Sequence, residues 1–269
     1  MSLNFAAISP HPPIIIPEIG QSELAKVEQT VRAMKKLSQR FLEAEIETLL
    51  VISPHMLIYP DRFSIAGMKK LFGTFASFNA PDLIMEFENN LELAQKIGNS
   101  SRGEKIETLL YDNGGEFFEL DHGVMVPLFY LAKDQEFGFK ILPCAYSELS
   151  CAKHFAFGQI LGNVVKSFPG RVGLVASGDL SHRLNLGRKS EINPGRDFDQ
   201  KIVNDLKEGK VQDILYYDED FVEAAGECGY RSILILLGAL DSLGLKPEIL
   251  SYEGPFGVGY LVANYHLSD

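Results

Sequence analysis

Residues 4–11 read NFAAISPH, and residues 48–55 read TLLVISPH. Each is a β-prone run without charge that stops at Ile-Ser-Pro-His. Apolar residues at consecutive positions mark a strand covered on both faces, as in a sheet with helices packed on either side. Proline after serine removes a backbone donor and holds the preceding residue extended, so the ladder ends there and a turn begins. The chain has six histidines, and two of them, His11 and His55, occupy this same strand-end position. A lone loop histidine is ordinarily a surface residue. Two in matched positions point to one shared metal site, provided both strands open onto the same crevice.

Between the two copies lies SELAKVEQTVRAMKKLSQRFLEAE. Leu24, Val27, Val31, Met34, Leu37 and Phe41 fall at three- and four-residue steps, which predicts an amphipathic helix with Ser22 as its N-cap. Downstream the alternation continues. RFSIAG, DLIMEFE, KIETLLYD, FGFKILPCAY, RVGLVASG, PEILSYEG and GVGYLVANYH read as strands. NLELAQKIG, HGVMVPLFYLA with Pro127 in an early turn, and ELSCAKHFAFGQILGNVVKSF read as helices, with two or three more between Asp197 and Leu243. The Gly- and Phe-containing stretch between RFSIAG and DLIMEFE has no clear assignment. No linker, low-complexity run or solenoid repeat interrupts the pattern. The expectation is a single α/β domain over residues 1–269, with a central mixed β-sheet flanked by helices. In such sheets the ligand crevice lies outside the carboxyl ends of the strands.

Composition excludes several classes. The 269 residues are 46% hydrophobic and 23% charged, and 25 basic against 36 acidic residues leave a net charge of −11. Acidity without a basic, aromatic-interleaved run argues against nucleic acid as a partner. SILILLGALDSLGL is broken by Asp241 and is shorter than the ~20 residues that span a bilayer, so no membrane partner is expected. The N-terminus lacks the basic region and cleavage site of a signal peptide. Cys144, Cys151 and Cys228 form no CxxC pair, which suits free thiols in a reducing cytoplasm. HExxH, GxSxG, GxGxxG after a strand and a P-loop are all missing.

Three further segments carry reactive side chains at element boundaries. LVASGDLSHRL is a strand followed by Gly178, Asp179 and His182 in a turn. ELDHGVMVPL puts His122 where a helix begins, and a helix start disfavours an imidazolium, so His122 is expected neutral. EAAGECGYRS sets Glu227 between Gly226 and Cys228-Gly229, at a break between two helical stretches. Cys228 is its rival, as an ordinary buried thiol or a soft metal ligand. Adjacent side chains diverge in direction, so one of the two faces inward. The expectation is Glu227 inward and Cys228 packed against the following helix. A carboxylate is a hard oxygen donor that resists oxidation, whereas a thiolate is soft and open to it. His154, mid-helix, and His266 read as structural.

Two histidines and a carboxylate with open positions describe the facial triad of non-haem Fe(II) oxygenases. In the order SPHPP, ISPH, DHGVMVPL, SGDLSH and GECGYRS, the chain resembles the class III extradiol ring-cleavage dioxygenases, in particular their LigB-type catalytic subunit. The resemblance runs over nearly the whole length. It implies metal ligation by His11, His55 and Glu227, with Fe(II) as the metal and zinc or another divalent ion as alternatives. It also implies His182 as acid/base, His122 lining the substrate pocket, and Asp179 fixing a ring tautomer or a water from behind. The substrates it implies are a small aromatic diol and O2, and the partners it admits are a second copy or a small accessory subunit. Memo-like proteins share the fold and carry cysteine where the dioxygenases carry glutamate; this chain has both, as Glu227-Cys228. The same scaffold would also serve a zinc hydrolase.

Overall fold

The computed structural model describes residues 2–133, 138–185 and 193–267. Eleven strands are found there: β1 (Leu3–Ser9), β2 (Thr48–Ser53), β3 (Phe63–Ala66), β4 (Lys70–Phe75), β5 (Ala80–Glu88), β6 (Thr108–Tyr111), β7 (Phe118–Glu119), β8 (Lys140–Ala145), β9 (Val172–Ser177), β10 (Pro247–Glu253) and β11 (Tyr260–Tyr265). The helices are α1 (Pro17–Gly20), α2 (Glu28–Glu43), α3 (Leu91–Gly103), α4 (His122–Leu131), α5 (Cys151–Ser167), α6 (Pro194–Glu208), α7 (Val211–Leu215), α8 (Glu219–Ala225) and α9 (Tyr230–Leu240). The late region thus holds four helices rather than two or three. The unassigned stretch is β4.

Eight strands form one mixed sheet in the order β10-β11-β1-β9-β2-β8-β3-β6. β1, β9, β2 and β8 run parallel, and β11 pairs antiparallel with β1. The side-chain period of two divides the core in half. Ala6, Ile8, Leu50, Ile52, Leu174 and Ala176 face a cluster completed by α5, α6 and α9. Phe5, Ala7, Leu49, Val51 and Val175 face the cluster built on α2 and α4. Every residue of β2 and β9 is buried, which is why these strands read as continuous apolar runs. The α5–α9 contact is close: a Cβ on Gly158 would lie 2.0 Å from the Ile235 carbonyl oxygen, so only glycine lets the two backbones meet.

α2 itself begins at Glu28. Residues Gln21–Val27 form a tighter 3₁₀ segment instead, and no side chain caps either element. Ser22 therefore does not act as an N-cap. A second, three-stranded sheet, β5-β4-β7, stands apart from the first. It positions the start of α4, because the Leu120 N–H donates to the Phe72 carbonyl at 2.7 Å just before Asp121 caps that helix.

Candidate metal centre

His11 follows β1, His182 follows β9 and His55 follows β2. β9 lies between β1 and β2 in the sheet, so the three motifs leave the carboxyl ends of three adjacent parallel strands. His11 and His55 do not come from neighbouring strands, yet their Nε2 atoms are 3.1 Å apart. His122, at the first position of α4, stacks on His55 with ring centroids 4.2 Å apart and meets His11 edge-on at 5.3 Å.

The orientation of His11 follows from a relay that starts in a helix. Pro127 sits inside α4 and has no N–H to give the carbonyl of Gly123, four residues back. That carbonyl instead accepts the hydroxyl proton of Ser177 at 2.5 Å. Ser177 has one proton, so its contact with His11 Nδ1 at 2.9 Å requires the imidazole to donate. His11 Nδ1 therefore carries the ring proton, and Nε2 presents its lone pair to the cluster. Ser177 was not singled out from the sequence, and Pro127 was read only as an early-turn proline of its helix; the strand-end serine of SGDLSH was the available signal.

Asp179 does not contact an imidazole nitrogen. Its Oδ1 accepts the backbone N–H of His11 at 3.0 Å, which pins the SPH turn to the turn after β9. Burial raises its carboxyl to about 7, against the opposing hydrogen bond from His11. His55 is held more loosely, its N–H reaching Ser53 Oγ at 3.2 Å. Ser53 donates to Asp121 Oδ1 at 2.7 Å, while Asp121 Oδ2 is buried and finds no partner among the described residues.

Glu227 and Cys228 point opposite to the expected way. Cys228 Sγ lies 3.6 Å from His11 Nε2 and 3.6 Å from His182 Nε2, and accepts the Asp179 N–H at 3.3 Å. Glu227 turns outward, and its Oε2 accepts the N–H of Tyr230, the first residue of α9, at 2.5 Å. A backbone contact sets this choice. A Cβ on Gly178 would fall 2.1 Å from Gly229 Cα, while Cys228 N and Gly229 N both donate to the Asp179 carbonyl. The two glycines let the turns press together, and Cys228 is then the residue that faces the strand ends. Glu227 is left to satisfy the open N-terminus of α9, as an acidic group does there.

Burial governs the electrostatics. It lowers the His11 pKa well below the usual imidazole range, helped by His55, His122 and His182. It takes His122 to about 4, again helped by His55, and lowers His55 and His182 as well. Burial likewise raises the Cys228 thiol. Four uncharged imidazoles and a neutral thiol converge here, a donor set of the kind that binds a divalent cation. Among the described residues, His11, His55 and Cys228 are the group whose ligand atoms all lie within 4.8 Å of one another. The separations, 3.1 Å between the imidazole Nε2 atoms and 3.6 Å from Cys228 Sγ to His11 Nε2, are those of atoms that share one ion at the ~2.0–2.3 Å of Zn–N and Zn–S bonds. His122 and His182 stand beside that group, and Glu227 is outside it.

Comparison with known proteins agrees with this architecture. Protein CA_C1420 of Clostridium acetobutylicum is 38% identical over 266 residues, covering 97% of this chain; the chain spans only 57% of that relative's length. The 3,4-dihydroxyphenylacetate 2,3-dioxygenase of Escherichia coli is 23% identical over 225 residues, 77% of this chain and 78% of that one. The crystal structure of an uncharacterized protein, JW3007 of Escherichia coli K12, superposes with a TM-score of 0.66 at 17% identity, covering 97% of this chain and 98% of that one, which shows a shared fold. Residues 5–263 match the family described as the catalytic LigB subunit of aromatic ring-opening dioxygenase, and the chain belongs to that family.

Proposed function

We propose that this chain is a metal-dependent protein whose divalent ion is held by His11, His55 and the Cys228 thiolate, in place of the two-histidine, one-carboxylate set of the Fe(II) oxygenases. The observation that carries the reading is the position of Cys228 Sγ, 3.6 Å from His11 Nε2, with the Glu227 carboxylate committed to the backbone of α9. Two imidazoles and a soft sulfur suit zinc, and after it iron or copper, better than a hard, oxygen-preferring ion. When bound, such an ion with an open position supplies Lewis acidity to a small ligand or water.

The chain's own side chains supply the rest. The relay from Ser177 keeps the His11 lone pair on Nε2, so the ligand is ready without tautomer exchange. His182 and His122, both depressed by burial, are neutral near pH 7 and free to accept a proton. A cavity of about 310 Å³ opens beside His55 and is lined by Met56, Tyr111, Phe118 and Asp121. Its size and aromatic wall suit a small planar ligand.

Ring cleavage is the second reading, supported by the family and by the similarity to a dioxygenase named for an aromatic diol. Metal titration and oxygen uptake separate the two. Under the first reading Cys228→Ser loses metal by more than ~100-fold, beyond the 10–100-fold of a supporting residue. Glu227→Gln keeps the metal and costs only the ~0.5–2 kcal/mol of a helix cap. Loss of metal in Glu227→Gln, together with oxygen uptake on 3,4-dihydroxyphenylacetate by the Fe(II)-loaded protein, would establish the second.

A further inference from the structure

The connection from β6 to β7 contains Asp112, Asn113, Gly114 and Gly115, all four exposed. It holds the chain's only Asn-Gly pair. Two short-range turns overlap in it. Asp112 Oδ1 accepts the Gly114 N–H at 2.8 Å, and Asn113 Oδ1 accepts the Gly115 N–H at 2.8 Å. Asp and Asn side chains make such bonds to the backbone two residues on. Here their overlap has a chemical consequence. The second bond folds the Asn113 carboxamide back over the Gly114 nitrogen, and the first sets a carboxylate on that nitrogen's proton.

A nucleophile, a base and an oxyanion donor thus meet within four residues. The Gly114 nitrogen is the nucleophile, and Asn113 Cγ is its target in the same short ring, so no second molecule has to be brought in. Asp112 is placed to take the N–H proton as the new bond forms. The Gly115 N–H already points at Asn113 Oδ1, where negative charge develops once Cγ becomes tetrahedral. Nothing obstructs the ring. Gly114 has a φ of 69°, in the left-handed region that glycine adopts freely, and no atom lies within 4 Å of where a Cβ would be.

We infer that Asn113 is a spontaneous modification site, which this loop converts through a cyclic imide to aspartate and isoaspartate. The Gly114 nitrogen bonds to Asn113 Cγ and gives up its proton, by way of Asp112, to Nδ2. The Cγ–Nδ2 bond breaks and ammonia leaves. Water then opens the imide. Cleavage between Cγ and the Gly114 nitrogen leaves aspartate, and cleavage between that nitrogen and the backbone carbonyl carbon leaves isoaspartate, with the chain running through Cγ. No electrons are exchanged and no co-reactant but water is used. Asn113 lines the cavity of about 310 Å³ beside His55, together with Tyr111 and Phe118. Both products add a negative charge there, and isoaspartate also lengthens the backbone between those two aromatic residues by one methylene. The change does not depend on which metal, or which reaction, the cluster supports.

Ageing the full chain at neutral pH and mapping its peptides by mass spectrometry tests this. The peptide that carries Asn113 should gain the mass difference between an amide and an acid and resolve into two isomers. It should take up oxygen from isotopically labelled water, and one isomer should be a substrate for an isoaspartate-specific methyltransferase. Asn99 is the internal reference, since it is exposed but lies inside α3 and precedes Ser100. Asn113 should react at least ~10-fold faster than Asn99, because only its ring closure is set up by the backbone. The folded chain should also react faster than the free peptide Tyr111–Glu116. Asp112→Ala should slow the reaction by at least ~5-fold, short of the ~10²–10⁴ of an enclosed general base because this carboxylate is exposed. Gly114→Ala should slow it further. These positions are on the surface, so folding is not at stake. The inference is overturned if Asn113 stays intact while Asn99 reacts, or if the free peptide reacts faster than the folded chain. It is equally overturned if Asp112→Ala ages at the parent rate.

Discussion

The two Ile-Ser-Pro-His turns are identical in sequence and unequal in support. His11 is 2% exposed, with its ring proton fixed by Ser177 and its backbone N–H taken by Asp179. His55 is exposed, and Ser53 reaches only its backbone. The difference comes from side-chain contacts rather than from sheet position. Both β1 and β2 border β9, but Ser177 and Asp179 at the end of β9 reach the His11 turn. One copy is a fixed reference point and the other an adjustable arm. A tetrapeptide therefore specifies where a side chain sits on a strand, while its neighbours in space specify how rigidly.

The largest test of this contrast replaces each histidine in turn. His11→Ala and His55→Ala should each reduce metal affinity by more than ~100-fold, beyond the effect of a supporting residue. Their stabilities should differ. Removing the buried His11 ring should cost the metal-free protein about 2 kcal/mol, as other large-to-Ala changes in a packed interior do. The exposed His55 should cost under about 0.5 kcal/mol. Urea denaturation of the metal-free variants measures both, and equal losses would remove the distinction.

The relay behind His11 gives the next effect. Ser177→Ala should weaken metal binding by ~10–100-fold, while Ser53→Ala, which touches only the His55 backbone and Asp121, should weaken it by less. Pro127→Ala should act in the same direction as Ser177→Ala. The new N–H at position 127 competes for the Gly123 carbonyl and leaves Ser177 free to donate to His11 instead, reversing the tautomer. A Pro127→Ala protein with unchanged affinity would mean that the relay does not set the ring.

The smallest effect is in pH. Both imidazoles are depressed by desolvation, complete for the buried His11 and only partial for His55, whose ring is part-shielded by its neighbours and where Asp121 opposes the shift. NMR titration of the metal-free protein should therefore show His55 gaining its proton at the higher pH. The unfolded chain binds protons at these histidines below about 6.5, and the folded chain only at lower pH. Their contribution to stability is thus present above 6.5 and is lost as the pH falls towards the depressed values. Asp179 runs the other way: its carboxyl is raised to about 7, so its contribution is full below the unfolded value near 4 and is lost as the pH rises through 7. His11→Ala should flatten the acid side of the stability profile and Asp179→Asn the neutral side.

Much of this was legible in the chain. Continuous apolar runs identified β1, β2 and β9 because those strands are covered on both faces, and the matched turns identified His11 and His55. β4 was not legible, since KLFGTF is a short, half-buried strand of a small second sheet, with a glycine in its middle where an apolar run would continue. The choice between Glu227 and Cys228 was decided by the approach of Gly178 to Gly229, two segments about fifty residues apart in sequence. No local rule contains that contact. A preference for hard donors at an oxygenase iron pointed to Glu227 because it argued from the reaction rather than from the backbone, which turns Cys228 towards His11.

The place of β1 in the sheet has a consequence for how the chain is made. Its neighbours are β9, which begins at Val172, and β11, which begins at Tyr260. During synthesis β1 emerges well before either of its partners, and neither edge is covered until β9 has been made. An apolar strand left unpaired is a template for the wrong partner, and pairings this distant in sequence form slowly. Refolding yield should therefore depend on protein concentration more steeply than stability alone would suggest. Fragments that end before β9 should aggregate rather than fold.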